Sequence, residues 1–421
     1  MSKSISTQNA ELSPLRAGEN SWLSIHEDRI RFAAYFAIAA TAVAYAFHLY
    51  THTRVGLTNG QRVPLGFDFI NYWSSSALAW QGLAAEIYDW DRYHKFVESI
   101  AGAPLKLFHY SYSPAVLILT LPFAALPYLP ALAVWLASSW YAFYRALRLA
   151  LPGDAGVLLA LAAPAVFLNT LGGQNGFWTA AFMGGGLCLL QRAPVFAGIL
   201  FGLLLYKPHL AVLIPVALIA GRQWRAFAAA AATVVFLLAA SVLAFGPELW
   251  AAYFDRVAAL RVLVLENGYG TAHWMISIFV AARTLGADPH VAYLIQICAA
   301  LMAGAVVALA WWRDAPAPLR YSLLVLGNFL ATPYLQDYDL VVGTFVAAWL
   351  VGYCTTQRLP DKTACIAAFL LLILPVAATP FGTITGISPG PLVLIPVFIF
   401  TARLMPDLFV LPPLRRQSLP R

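Results

Sequence analysis

Asp68 lies in the run Gly66-Phe67-Asp68-Phe69-Ile70-Asn71-Tyr72-Trp73. An acid set among aromatic and apolar residues at a water-to-lipid boundary can have its pKa adjusted by partial burial, which suits it to accept a proton as a general base. The same side chain is placed to cap a helix beginning at Phe69, and the two roles are compatible. Tyr72 stands one helical turn on, with a phenol that can donate to or accept from a polar ligand. Lys207-Pro208-His209 interrupts an apolar stretch, and an uncompensated lysine in a span costs about 2.5–3.5 kcal/mol. A helix starting at Pro208 would put Lys207, with His209, at a positive N-terminus suited to a phosphate or carboxylate. The plainer alternative is a lysine snorkelling beside a proline kink. Gly172-Gly173-Gln174-Asn175 separates two apolar runs, and its amides can donate to sugar hydroxyls or an anion, although turn chemistry alone accounts for the glycines. Thr332-Pro333-Tyr334-Leu335-Gln336-Asp337-Tyr338-Asp339 puts two carboxylates at the head of a span. There they complement the helix dipole, hold sugar hydroxyls together with Tyr334, or supply a second base. Glu266 and His273 add polar groups from a loop, where polar residues are expected in any case.

The elements that must position these residues follow from composition. Of 421 residues, 61% are apolar and only 11% charged, against about 25% charged in soluble domains, which excludes a water-soluble enzyme. Long apolar runs such as AFAAAAATVVFLLAASVLAF are helical rather than the alternating segments of a membrane barrel. The expectation is an all-α polytopic bundle of about twelve spans (11–13), near 31–50, 130–149, 154–171, 174–191, 194–206, 208–221, 225–245, 289–311, 319–334, 337–354, 362–379 and 386–404. Two interrupted stretches, 113–128 and 272–286, read as partial or re-entrant. Residues 1–30 read as a cytoplasmic tail before an uncleaved anchor, 31–404 as one transmembrane domain, and 405–421 as a second cytoplasmic tail.

With the N-terminus inside, this count puts Arg145, Arg148, Arg192, Arg222, Arg225, Arg313, Arg320, Arg358, Lys362, Arg403, Arg415 and Arg416 on the cytoplasmic side, in keeping with the positive-inside rule. The net charge of +7 is therefore topological, and no nucleic-acid partner is expected. The polar elements 51–112, 172–175, 207–209, 246–273 and 332–339 all fall on the outer face, where they look like the lining of one site. Within 51–112, two aromatic-rich helices are expected at 69–82 and 89–101, lying in the headgroup layer. Residues 246–273 open on Gly-Pro-Glu, a helix start with proline at its first position. The four cysteines, Cys188, Cys298, Cys354 and Cys365, lack disulfide or zinc spacing and read as small core residues. No phosphate-binding loop, dinucleotide fingerprint, H-E-x-x-H or G-x-S-x-G is present. No cofactor or metal is expected, and a membrane enzyme using a pre-activated, lipid-linked substrate needs none.

GFDFINYWSSSALAWQGLAAEIYD, HYSYSPAVLILTLPFAALPY, the long segment from GGQNGFWTAAF to YKPHLAVLIPVALIAGRQWRAF, and LATPYLQDYDLVV together resemble glycosyltransferase family 87, a GT-C-type family of bacterial polytopic enzymes. The resemblance covers most of residues 30–355. It implies an inner-membrane enzyme, with its active site facing outward, that moves a hexose of mannose type from a polyprenyl phosphate carrier to a lipid or glycan acceptor. By the same resemblance the displacement inverts the sugar, Asp68 is the base, Lys207 with His209 meets the donor phosphate, and Gln174, Asn175, Asp337 and Asp339 orient sugar or acceptor. The chain departs from the mycobacterial pattern at 332–339, where Tyr338 and Asp339 stand in place of histidines. A secondary transporter or lipid-linked-sugar flippase also needs broken helices and buried charges. Against that rival, the halves show no repeat and the polar residues gather at one face. A polysaccharide polymerase or ligase would share the substrates and differ in acceptor size. The expected result is a groove lined by Asp68, Lys207 and Asp337 or Asp339.

Overall fold

The computed structural model describes residues 22–60, 62–106, 108–268 and 274–409. These residues are helical apart from turns, loops and a few isolated bridges. The first helix, Trp22–His52, begins inside the stretch expected as a tail. Phe32, Phe36, Val43 and Phe47 along it are all exposed, a surface suited to lipid chains rather than water.

Five helical stretches are long and apolar enough to cross a membrane: Ile25–His52, Trp224–Phe245, Pro289–Trp312, Asp337–Thr356 and Lys362–Thr385. Two bent pairs raise the number to seven if each pair is one span. Asp154–Ala162 turns by 53° into Pro164–Gly172, and Pro114–Ala125 turns by 119° into Tyr128–Ala150. The stretch 113–128, expected as partial or re-entrant, is this sharply turned arm, with proline at 114, 122 and 127. The other expected crossings fall on shorter helices, among them Gly176–Leu189, Pro194–Leu203, Ile214–Ala220, Ala317–Ala331 and Gly390–Arg403. At 1.5 Å per residue none of these reaches across about 30 Å of hydrocarbon alone. The apolar runs are continuous in composition but not in helix. Around Lys207 the chain passes through two three-residue 3-10 turns, Leu204–Tyr206 and Pro208–Leu210.

Small residues let the helices close on one another. A Cβ on Gly198 would stand 2.3 Å from the Ala226 carbonyl oxygen, which brings Pro194–Leu203 directly onto Trp224–Phe245. Gly184 lies under the ring of Phe345, 2.4 Å from where its own Cβ would be. Cys354 and Cys365 are buried and Cys188 partly so, but Cys298, expected in the core, is exposed. It shares a face of Pro289–Trp312 with exposed Leu294 and Leu301, at i−4 and i+3, so it lies on the side of that helix that packs against no other element.

The loop after the first helix forms its own apolar cluster around Phe69, Tyr72, Tyr93, Tyr110 and Trp135. Its helices are Phe69–Trp80 and Trp90–Ala101, the second capped by Asp89, whose carboxylate accepts the Arg92 N–H at 3.1 Å. The helix Pro247–Arg261 opens with proline in its first turn. Within 274–286, residues 275–276 meet 335–336 in an antiparallel bridge, and Ile278–Thr284 is a short helix.

Candidate active site

Asp68 stands at the N-terminus of Phe69–Trp80 but does not cap it, since its side chain makes no capping hydrogen bond. The carboxylate instead lies near the Gln174 side chain and within electrostatic reach of Lys207. Burial pushes its pKa above the usual carboxylate range, opposed by the Gln174 side chain and the Lys207 charge. The residue as a whole is half-buried.

Its position is set by backbone. Gly66 and Phe67 both take positive φ (75° and 39°), and the Asp68 N–H donates to the Gly172 carbonyl at 3.1 Å. Gly173 ends the helix Pro164–Gly172 in the left-handed conformation at φ 56°. A Cβ there would stand 2.4 Å from the Gly66 carbonyl oxygen and 2.8 Å from Phe69 Cβ. Gly173 is thus required both by its φ and by its neighbours. Gly173→Ala is expected to lower the melting temperature in detergent by the equivalent of more than about 1 kcal/mol and to reduce activity with it, because it pushes directly on the turn that carries Asp68. A melting temperature and activity equal to wild type would show that the turn does not set the acid.

Asn175, one residue beyond Gln174, joins the rest. Its Nδ2 donates to Tyr72 Oη at 2.7 Å and Tyr112 Oη at 3.2 Å, and those two hydroxyls are 2.6 Å apart. Its Oδ1 accepts from Lys207 Nζ at 3.1 Å, while its carbonyl accepts from Tyr206 Oη at 3.1 Å. Lys207 Nζ also donates to Asp339 Oδ1 and, at 3.4 Å, to Tyr338 Oη, with the Tyr338 ring centre 4.4 Å away. The lysine's charge is therefore compensated by Asp339, 132 residues along the chain, and all three of its donors are used. The helix start expected at Pro208 is only the 3-10 turn Pro208–Leu210.

Asp339 is fully buried, and its second oxygen accepts the Gln336 N–H at 3.3 Å. Asp337 accepts the Tyr338 N–H at 2.7 Å and is close enough to feel both Asp339 and Lys207. Asn169 ties the two halves, donating through Nδ2 to the Ala165 and Tyr338 carbonyls at 2.8 and 2.9 Å. Gly176 makes room, since a Cβ would stand 2.3 Å from Asn169 Oδ1 and 2.8 Å from the Tyr338 carbonyl oxygen.

The structure thus brings together Asp68, Tyr72, Gln174, Asn175, Lys207, Asp337 and Asp339. Other expected residues make their contacts elsewhere. Tyr334 lies beside His209, ring centres 5.9 Å apart. Glu266 accepts from Tyr293 Oη at 3.2 Å and faces Arg261 at 3.7 Å. Their link to the cluster is indirect, through His209 beside Lys207 and through Tyr334 on the strand-like stretch before Asp337. His273 lies outside the described residues. Sequence reasoning missed Tyr112, Tyr206 and Tyr338 as members of the site. The available signal was hydroxyl residues next to the breaks, at Tyr112-Ser113-Pro114 and Tyr206-Lys207-Pro208. Among the described residues no three His, Cys, Asp or Glu side chains are grouped to hold a metal ion.

Chemically the cluster offers one carboxylate that does not cap its helix, a buried cation with its counter-ion, and amides and phenols that donate and accept. Such a set can take a proton from a hydroxyl and hold polar groups against developing charge. No curated protein and no solved structure gives a significant match to the chain. The family model described as glycosyltransferase family 87 matches residues 110–333, more than half of the chain and a stretch that includes Tyr112, Gln174, Asn175, Tyr206 and Lys207. With its apolar helices and this match, the chain belongs to glycosyltransferase family 87 and is a membrane glycosyltransferase.

Proposed function

We propose that the protein transfers a hexose of mannose type from a polyprenyl phosphate carrier to a lipid or glycan acceptor, with inversion, at the outer face of a bacterial inner membrane. The observation that carries this reading is the Asp68 carboxylate, left free of the helix it precedes and lying near Gln174 and the Lys207 and Asp339 pair. Asp68 accepts the acceptor hydroxyl proton as that oxygen forms its bond to the anomeric carbon. The bond from that carbon to the phosphate oxygen breaks, and the electron pair leaves with the polyprenyl phosphate. Lys207 is the cation for that leaving group. Its 3.4 Å contact to Tyr338 is the longest of its three, and a phosphate oxygen would displace it first. Asn175, Gln174, Tyr72 and Asp337 orient the sugar or acceptor, and Glu266, His209 and Tyr334 line the approach.

The outward orientation rests on the distribution of arginines and on the five polar elements falling on one side of the chain. A GT-C-type bundle of about twelve crossings would draw its remaining crossings from the shorter apolar helices, and Phe69–Trp80, buried along most of its length, packs within the outer-face layer rather than on its surface.

Purified protein in lipid nanodiscs, given radiolabelled polyprenyl phosphate sugars and a total lipid extract, is expected to move label into an acceptor lipid or glycan. Transfer only from nucleotide sugars would replace the proposed donor, and export of an unmodified lipid-linked sugar would favour a flippase.

A further inference from the structure

A polar cavity opens apart from the Asp68 cluster. Its volume is about 350 Å³ and its lining is Ala85, Tyr88, Asp89, Ala252, Asp255 and Arg256, which places it within the roughly 300–1,000 Å³ of small-ligand sites. One wall is the turn Ala84–Tyr88 with the start of Trp90–Ala101, and the other is the helix Pro247–Arg261. That helix follows directly on the apolar Trp224–Phe245, so the cavity stands at a membrane edge.

The chemistry of this lining is specific. Arg256 lies over the Trp90 ring, 5.3 Å from its centre, rather than against either carboxylate. Asp89 pairs with Arg92 at 3.6 Å, whereas Asp255 is exposed and forms no ion pair among the described residues. The indole N–H of Trp90 is buried with no acceptor. A planar guanidinium donor and two carboxylate acceptors around one cavity of this size suit a sugar ring, whose paired hydroxyls meet the fork-shaped groups. Opposed charges in the lining give a strongly anionic ligand little advantage.

The cavity backs onto the Asp68 cluster through buried tyrosines. Tyr88 Oη donates to the Tyr112 carbonyl at 2.7 Å, and Tyr112 Oη meets Tyr72 and Asn175. We infer that this cavity binds a neutral sugar ring of a saccharide acceptor, one tyrosine layer away from Asp68, an assignment to the acceptor that rests on the transferase reading above.

The test uses wild-type protein in nanodiscs titrated with methyl glycosides of neutral hexoses, followed by tryptophan fluorescence. At least one glycoside is expected to bind saturably. Asp255→Ala and Arg256→Gln should each weaken it at least tenfold at an unchanged melting temperature, Trp90→Phe should abolish the fluorescence change, and Asp68→Asn should leave binding intact. Absence of saturable binding, insensitivity to both Asp255→Ala and Arg256→Gln, or preferential binding of methyl uronates would overturn the inference. Saturable, substitution-sensitive binding without sugar transfer from any polyprenyl donor would leave the cavity standing and remove the proposed donor. Transfer without binding here would do the reverse.

Discussion

Asp68→Asn reduces sugar transfer by about 10²–10⁴-fold, the usual contribution of a positioned general base, while the protein keeps its fold. The substitution preserves size, so the loss belongs to the proton acceptor and not to packing. Wild-type activity should rise with pH along a single acidic limb lying above the ordinary carboxylate range, because burial raises the Asp68 pKa and only the ionised form accepts a proton. Stability runs the other way. Above the ordinary carboxylate pKa the unfolded chain has released this proton while the folded protein retains it, so folding loses stability as pH rises through that window. The Asp68→Asn substitution removes that loss, and the variant should therefore melt at or above the wild-type temperature at neutral pH. Transfer rates are read from label incorporation across pH 4–9, roughly spanning the ordinary and raised ranges, and melting is followed by intrinsic fluorescence. A variant that transfers sugar at the wild-type rate, or a wild-type profile flat across the acidic range, would remove Asp68 from the mechanism.

Local signals in the sequence located the pieces of this site, and distance along the chain hid how they fit. The acid before an aromatic helix, the glycines at 172–173 and the lysine beside a proline each break a pattern within a few residues, and each break is where the structure turns. Asp89 and Gly102 bracket Trp90–Ala101 with ordinary capping chemistry, so that helix was readable. The pairing of Lys207 with Asp339 was not, because no short-range feature links residues 132 apart, and the acid looked equally suited to a helix dipole. Tyr72 was legible beside Asp68, whereas Tyr112, Tyr206 and Tyr338 were not, because only packing turns their hydroxyls onto one amide, one ammonium and their neighbours. Crossing number suffered from the same limit. Hydropathy reports that a run is apolar, but Ile214–Ala220 and Gly176–Leu189 show that an apolar run can be divided between short helices whose ends are satisfied by neighbouring elements. Asn328 does this for one such start, accepting the Leu213 N–H at 2.9 Å.

The largest stability effect should come from separating Lys207 and Asp339. Both side chains are almost wholly buried, at 4% and 0% exposure, so removing one partner strands the other charge away from water. Lys207→Met and Asp339→Asn are each expected to destabilise by about 3–5 kcal/mol. The amide introduced by Asp339→Asn keeps an oxygen for the Gln336 N–H, so its effect isolates the charge rather than the turn. Lys207→Met with Asp339→Asn leaves no unpaired charge and should recover part of the loss, with a coupling of about 1–3 kcal/mol between the two positions. Asn175 and Tyr338 would lose their ammonium partner in that double variant too, which is why recovery stays incomplete. Sugar transfer should not recover with stability, because the cation proposed to meet the leaving phosphate is gone in both variants that carry Lys207→Met. Thermal melts of the four proteins in one detergent, set beside their transfer rates, separate the two roles. Additive losses would show that the pair is not coupled, and a stable double variant with full activity would show that Lys207 serves only to hold the fold.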